Sequence, residues 1–234
     1  MSNRVIVGLK VVAHGLLLLP FVHLLMMYRD GSLALLADPV NFITHRTGSW
    51  ALWILLGDLA ITPLRRLSVK LSWLIRFRRM VGLYAFFYAT LHLMTYVFLF
   101  SGYDVPTAIA GLRARHLMEP VRQFEVVWPT MVDDVEKRKF VQVGLAAWLM
   151  LLALAVTSPQ RVMRTMGGKR WQWVHRLIYL AAIAAAVHFW WLVKAGVRSP
   201  LRVTVVLGVL LGARMVYAGM KRWKESRKVT FETA

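Results

Sequence analysis

The chain has 234 residues, 58% of them apolar, a mean hydropathy of +0.54 and a formal charge of +19, a combination that places it among membrane proteins. The basic residues lie between apolar runs and not on one soluble face, which argues against nucleic-acid binding. Without a single Cys, disulfides, iron–sulfur clusters and thiol catalysis are excluded.

Six apolar segments are expected to form transmembrane helices: 5–28, 46–63, 80–101, 140–157, 172–194 and 200–218, with a basic tail over 219–234. Each approaches the roughly 20 residues that cross a bilayer. The fold class is therefore an all-α integral membrane protein, one six-helix bundle over residues 1–234. The first segment, Val5–Met27, is too long and its start too weakly charged for a cleaved signal peptide, so it reads as a retained helix. Pro20 within it predicts a kink. The second and fourth segments are short and should tilt or thin the bilayer. Neither a glycine-rich nucleotide fingerprint nor a soluble domain of useful size is evident.

Orientation follows from the basic residues. The link after the second segment carries Arg65, Arg66, Lys70, Arg76, Arg78 and Arg79, and the link after the fourth carries Arg161, Arg164, Lys169 and Arg170, neither with an acid. The tail adds Lys221, Arg222, Lys224, Arg227 and Lys228, whereas the long link 102–139 balances basic against acidic residues. Both termini are expected to be cytoplasmic. The third and fifth helices then run in parallel, from inside to outside.

Three histidines stand on those two helices: His92, His175 and His188. At about 1.5 Å per residue, His92 lies about 18 Å into the third helix and His188 about 24 Å into the fifth. Both are a few residues short of the outer end, at similar depth. A lone buried imidazole is more often a hydrogen-bonded core group than a ligand, but two at matched depth suit the axial positions of a haem iron. His175 sits near the inner end, 13 residues before His188. On an ideal helix the two rings point about 140° apart, and only local unwinding or a π-bulge would align them. The residue matching His175 on the third helix is Arg78, not a histidine. Arg78 and Arg79 would suit a phosphate-bearing cofactor, although on the residues alone they read as positive-inside charges touching headgroups. His14 and His23 form a polar stripe on the first helix. His45 is expected at the outer surface, where it could bind a partner or quinone headgroup or simply start a helix. His116 is assigned nothing. Asp58 and Arg214 read as snorkelling or paired charges, and Trp128, Trp148, Trp171, Trp173, Trp190 and Trp191 as an aromatic belt.

The segments LADPV (36–40), ITPL (61–64), IRFRRMVGL (75–83), ATLHLMTY (89–96), GKRWQWVHRLIYL (168–180) and VHFWWLVK (187–194), in this order and spacing, resemble the MsrQ (formerly YedZ) family over residues 9–195. This family is the haem-binding membrane subunit of the bacterial periplasmic methionine sulfoxide reductase system, in the ferric-reductase-like transmembrane group. The resemblance implies an inner-membrane electron conduit carrying haem b, one or two, and FMN. It implies electrons taken from a cytoplasmic flavin reductase or quinol and passed to the periplasmic molybdenum-cofactor reductase MsrP. It places His92, His188 and His175 at haem-associated positions and Arg78 and Arg79, with Arg76 beside them, at the flavin. The chain departs from the family in its longer link 102–139 and in reading Arg138-Lys139-Phe140 where the family usually has Arg-Pro-Tyr. Two rival expectations are a quinol-oxidising or ferric-reducing cytochrome b with another acceptor, and a non-redox transporter or structural subunit.

Overall fold

The computed structural model describes residues 2–193 and 198–232, the last eight by backbone alone. Helices α1 (Asn3–Arg29), α2 (Pro39–Leu67) and α3 (Arg78–Thr95) are followed by α4 (Val105–Arg113) and α5 (Glu119–Lys137). Then come α6 (Lys139–Val156), α7 (Gln160–Met166), α8 (Gly168–Val174), α9 (Leu177–Leu192) and α10 (Ser199–Glu232). Among the described residues, six stretches are long and apolar enough to cross a bilayer: Asn3–Arg29, Pro39–Leu67, Arg78–Phe100, Lys139–Val156, Gly168–Leu192 and Ser199–Lys224. They coincide with the six expected from hydropathy. The expected end of the fifth, at Lys194, lies outside the described residues, and α10 continues through most of the basic tail.

The second span is not short. Asp38 caps it by accepting from the Asn41 amide (2.9 Å) and Pro39 occupies its first turn, giving 29 residues. Its early threonines satisfy themselves on their own helix, Thr44 on the Val40 carbonyl and Thr47 on the Ile43 carbonyl, each at 2.9 Å. Hydropathy scores these residues as polar although their hydroxyls are already paired. The link 102–139 is also more ordered than a loop. Asp104 caps α4 through the Thr107 amide (3.0 Å), Tyr103 donates to the Pro120 carbonyl (3.1 Å), and Tyr96 donates to Asp134 of α5 (2.9 Å).

The core is built from Leu52, Leu55, Leu56 and Leu59 of α2, Ala85 of α3, Leu151 and Leu154 of α6, Val203 and Leu207 of α10, and the α9 residues Ile178, Ala181, Ala182 and Ala186. Where lipid is as apolar as leucine, small residues such as these alanines let helix backbones approach closely. α2 packs chiefly on α3, and α6 on α9.

Helix α1 sits outside this core, with Ile6 its buried residue. Pro20 lies inside it, and α1 continues through that position without a break. The hydroxyl of the fully buried Tyr88 enters the ladder there, accepting from the Phe21 amide (3.3 Å) and donating to the Leu17 carbonyl (2.6 Å). These are the amide and the carbonyl of one i to i+4 step of α1 beside Pro20. One phenol thus ties α1, beside Pro20, to α3.

Candidate functional site

At the end of the bundle away from the arginine cluster, His92 of α3 and His188 of α9 face each other. Their ring centres are 6.0 Å apart and their planes 78° from parallel. Each ring is held through Nδ1 by a main-chain carbonyl of a neighbouring helix: His92 by Thr44 of α2 (3.0 Å), His188 by Phe140 of α6 (2.7 Å). A carbonyl only accepts, so Nδ1 carries the proton in both rings. The lone pair of each imidazole is therefore at Nε2.

The approach of ring to helix is possible because of two glycines. A Cβ at Gly48 would lie 3.0 Å from both Nδ1 and Cε1 of His92. At Gly144 it would lie 2.7 Å from Nδ1 and 2.8 Å from Cε1 of His188. Further bonds brace the surroundings. The Thr95 hydroxyl lies 3.0 Å from that of Thr44 and donates to the His92 carbonyl (2.7 Å). Trp148 of α6 donates to Thr90 of α3 (3.1 Å).

A metal–imidazole bond is about 2 Å, and with about 1 Å from ring centre to nitrogen, two trans imidazoles on one metal place their ring centres about 6 Å apart. The observed separation meets that requirement. Among the described residues no group of three or more His, Cys, Asp or Glu could hold a metal ion. A two-imidazole site suits a metal that brings its remaining ligands with it, as iron in a macrocycle does.

The polar residues at the other end are arranged differently. The fifth span breaks at His175 and Arg176, between α8 and α9. His175 is stacked on Trp171 (ring centres 3.9 Å apart, planes 28° apart), and its Nε2 is within 3.2 Å of the Thr157 hydroxyl. Among the described residues no other histidine faces it. The three arginines separate. Arg78 turns into the bundle, its Nε 3.7 Å from the buried carboxylate of Asp58. Arg76 and Arg79 line a cleft of about 1080 Å³ between α1 and α3, together with Asn3, Lys10, His14 and Tyr84. Arg76 donates to Asn3 there (3.1 Å).

Arg214 does not snorkel. It donates to Tyr179 (2.8 Å) and to the Leu59 carbonyl (2.6 Å), next to Asp58. Asp58 Oδ1, Thr62 Oγ1 and Arg214 Nε are buried without a protein partner. His14 pairs with Tyr84 (2.8 Å), while His23, His45 and His116 are exposed. Of the tryptophans, Trp128, Trp173, Trp190 and Trp191 are exposed as a belt requires, whereas the indole N–H of Trp148 and that of Trp171 are used inside the bundle.

Sequence reasoning missed Thr44, Gly48, Phe140 and Gly144. The available signal was a glycine inside each apolar helical run, but the acceptors are main-chain carbonyls, which no side chain announces.

Comparison with known proteins gives a consistent kinship. Residues 47–186 match the model of the ferric reductase like transmembrane component family. A protein-methionine-sulfoxide reductase heme-binding subunit MsrQ from Herminiimonas arsenicoxydans is 41% identical, covering 89% of this chain and 85% of the relative. The protein of the same name from Xanthomonas oryzae pv. oryzae (strain MAFF 311018) is 44% identical over 91% of this chain and 88% of its own length. That from Ralstonia nicotianae is 37% identical over 91% and 85%. No solved structure matches the chain. A six-span helical chain with this extent of identity belongs to the MsrQ family of ferric reductase like transmembrane proteins.

Proposed function

We propose that this protein is the haem b subunit of a bacterial inner-membrane electron-transfer system, with His92 and His188 the axial ligands of one haem. The observation that carries the reading is the pair of facing imidazoles at 6.0 Å, each with Nδ1 engaged and Nε2 free to coordinate. The name that the relatives carry, heme-binding subunit, supports it. A haem held by His92 and His188 would supply one-electron transfer with no iron position left for a substrate; the protein supplies position and tuning.

The distribution of Lys and Arg supports cytoplasmic termini and a haem in the periplasmic half. Electrons then enter at the arginine-rich end, from a cytoplasmic flavin reductase or from quinol. They leave toward a periplasmic molybdenum-cofactor reductase, MsrP, which repairs oxidised methionine. FMN belongs at the entry end. With Arg78 directed at Asp58, its phosphate falls to Arg79 and Arg76 in the α1–α3 cleft, and His175 stays a neighbour of that region, held by Thr157 and Trp171. The site is one of transfer; sulfoxide chemistry takes place on the partner.

The test is a spectrum of detergent-purified protein before and after dithionite, then reduction by NADH and a flavin reductase followed by reoxidation with MsrP and methionine sulfoxide. Sharp α and β bands and turnover in both steps are expected. A colourless protein would refute the haem reading, and a haem that MsrP cannot reoxidise would refute the acceptor.

A further inference from the structure

The two histidine supports share one construction, although they come from different helices. In each case the carbonyl that binds Nδ1 belongs to residue i and the glycine lies at i+4: Thr44 with Gly48 on α2, Phe140 with Gly144 on α6. In an α-helix the carbonyl of residue i already accepts from the amide of i+4. That acceptor is normally screened by the side chain at i+4, which leans back over the preceding turn. With glycine at i+4, the second lone pair of the carbonyl is open to an imidazole N–H.

We propose that Gly48 and Gly144 are positioning residues of the redox site. By leaving the Thr44 and Phe140 carbonyls open, they fix the tautomer of His92 and His188 and lock the two imidazole planes nearly perpendicular, which sets the electronic character of the iron. The inference rests on axial ligation by these two histidines. It adds a specific consequence, because the Nδ1–H···O=C bond makes each imidazole a stronger electron donor and so favours ferric over ferrous iron. The crossed planes, 78° apart, would direct the two ligands at different iron d orbitals. Two crossed imidazoles give a low-spin ferric signal of large g anisotropy, and parallel ones a rhombic signal.

The two glycines are not equivalent. A methyl at Gly48 would sit 3.0 Å from the nearest ring atoms, tight enough to turn His92; at Gly144 the contact is 2.7 Å and the ring must leave its place. The neighbour that must yield is a half-buried ring whose Nδ1 is already bonded, not a flexible side-chain end. Gly57, also on α2, meets nothing within 4 Å and supplies the control.

The experiment uses full-length protein in detergent and compares wild type, Gly48→Ala, Gly144→Ala and Gly57→Ala. Haem content per protein, the low-spin ferric electron paramagnetic resonance spectrum and the midpoint potential are read for each. Gly144→Ala is expected to retain haem about 10-fold less tightly or worse. Gly48→Ala is expected to keep its haem with a smaller largest g value and a raised potential, and Gly57→Ala to match wild type. Should Gly144→Ala fail to fold, the milder Gly48→Ala decides alone. The inference is overturned if Gly48→Ala and Gly144→Ala keep the wild-type spectrum and potential, or if Gly57→Ala shifts them equally. A parallel His92→Ala and His188→Ala pair separates the two levels: full spectra in both would remove the ligation itself, whereas lost haem there with silent glycine variants would remove only the positioning role.

Discussion

Replacing Asp58 by asparagine should destabilise the bundle by an amount its geometry allows to be worked out. Asp58 is 3% exposed, and its Oδ2 lies 3.7 Å from Arg78 Nε. At an effective dielectric of about 20, the attraction across that distance is about 4 kcal/mol. The Arg78 side chain is 33% exposed, so water screens part of this. The larger effect is on what remains: Arg78 and, one residue along at the Leu59 carbonyl, Arg214 keep their charges with no carboxylate between them. Removing one partner of a buried pair costs about 3–5 kcal/mol. The lower end applies here, because asparagine fills the same space and still accepts a hydrogen bond. At about 2–4 °C per kcal/mol for a chain of this length, the Tm should fall by about 6–12 °C. Thermal unfolding in detergent, followed by tryptophan fluorescence, measures it. A double-mutant cycle with Arg78→Gln should return a coupling of about 1 kcal/mol or more. A Tm within about 2 °C of wild type, or no coupling, would refute the reasoning.

Arg76→Gln with Arg79→Gln should lower FMN content while leaving the Tm close to wild type. Arg78→Gln should do the reverse, since its partner is Asp58; flavin quantitation and thermal unfolding on the same samples check both. Tyr88→Phe removes a hydroxyl that serves two backbone groups of α1 beside Pro20. It should cost about 1–3 kcal/mol and speed hydrogen exchange at the Phe21 amide, while haem content stays unchanged. Asp104 lies outside the spans, and the Thr107 amide and hydroxyl hold its carboxyl below the usual range. A depressed folded pKa means the cap is intact above the unfolded value and is lost as pH falls through the folded one. Exchange at the Thr107 amide should stay protected down through the ordinary carboxylate range and give way only below it; loss of protection already near neutral pH would contradict this.

Much of the architecture was legible because hydropathy reports the one requirement that all six spans share, an apolar length that crosses the bilayer. It underestimated α2, where Thr44 and Thr47 pair with their own helix, and it gave no view of α4 and α5, whose order comes from the Asp104 cap and contacts such as Tyr96 to Asp134. The facing of His92 and His188 could be anticipated from equal depth on parallel helices. The separation of Arg78 from Arg79 could not: adjacent helix positions point about 100° apart, and only the packed structure shows that one of them meets Asp58. The Thr44 and Phe140 carbonyls were hidden for a different reason, since every residue has a carbonyl and only a glycine four residues on distinguishes these two.

The central claim is that one iron sits between helices α3 and α9. Its most direct test is the position of iron by anomalous scattering in crystals of the pigmented protein. The expected peak is single, about 2 Å from Nε2 of both His92 and His188. A peak beside His175 with none between the other two, or iron bound by only one of them, would contradict it.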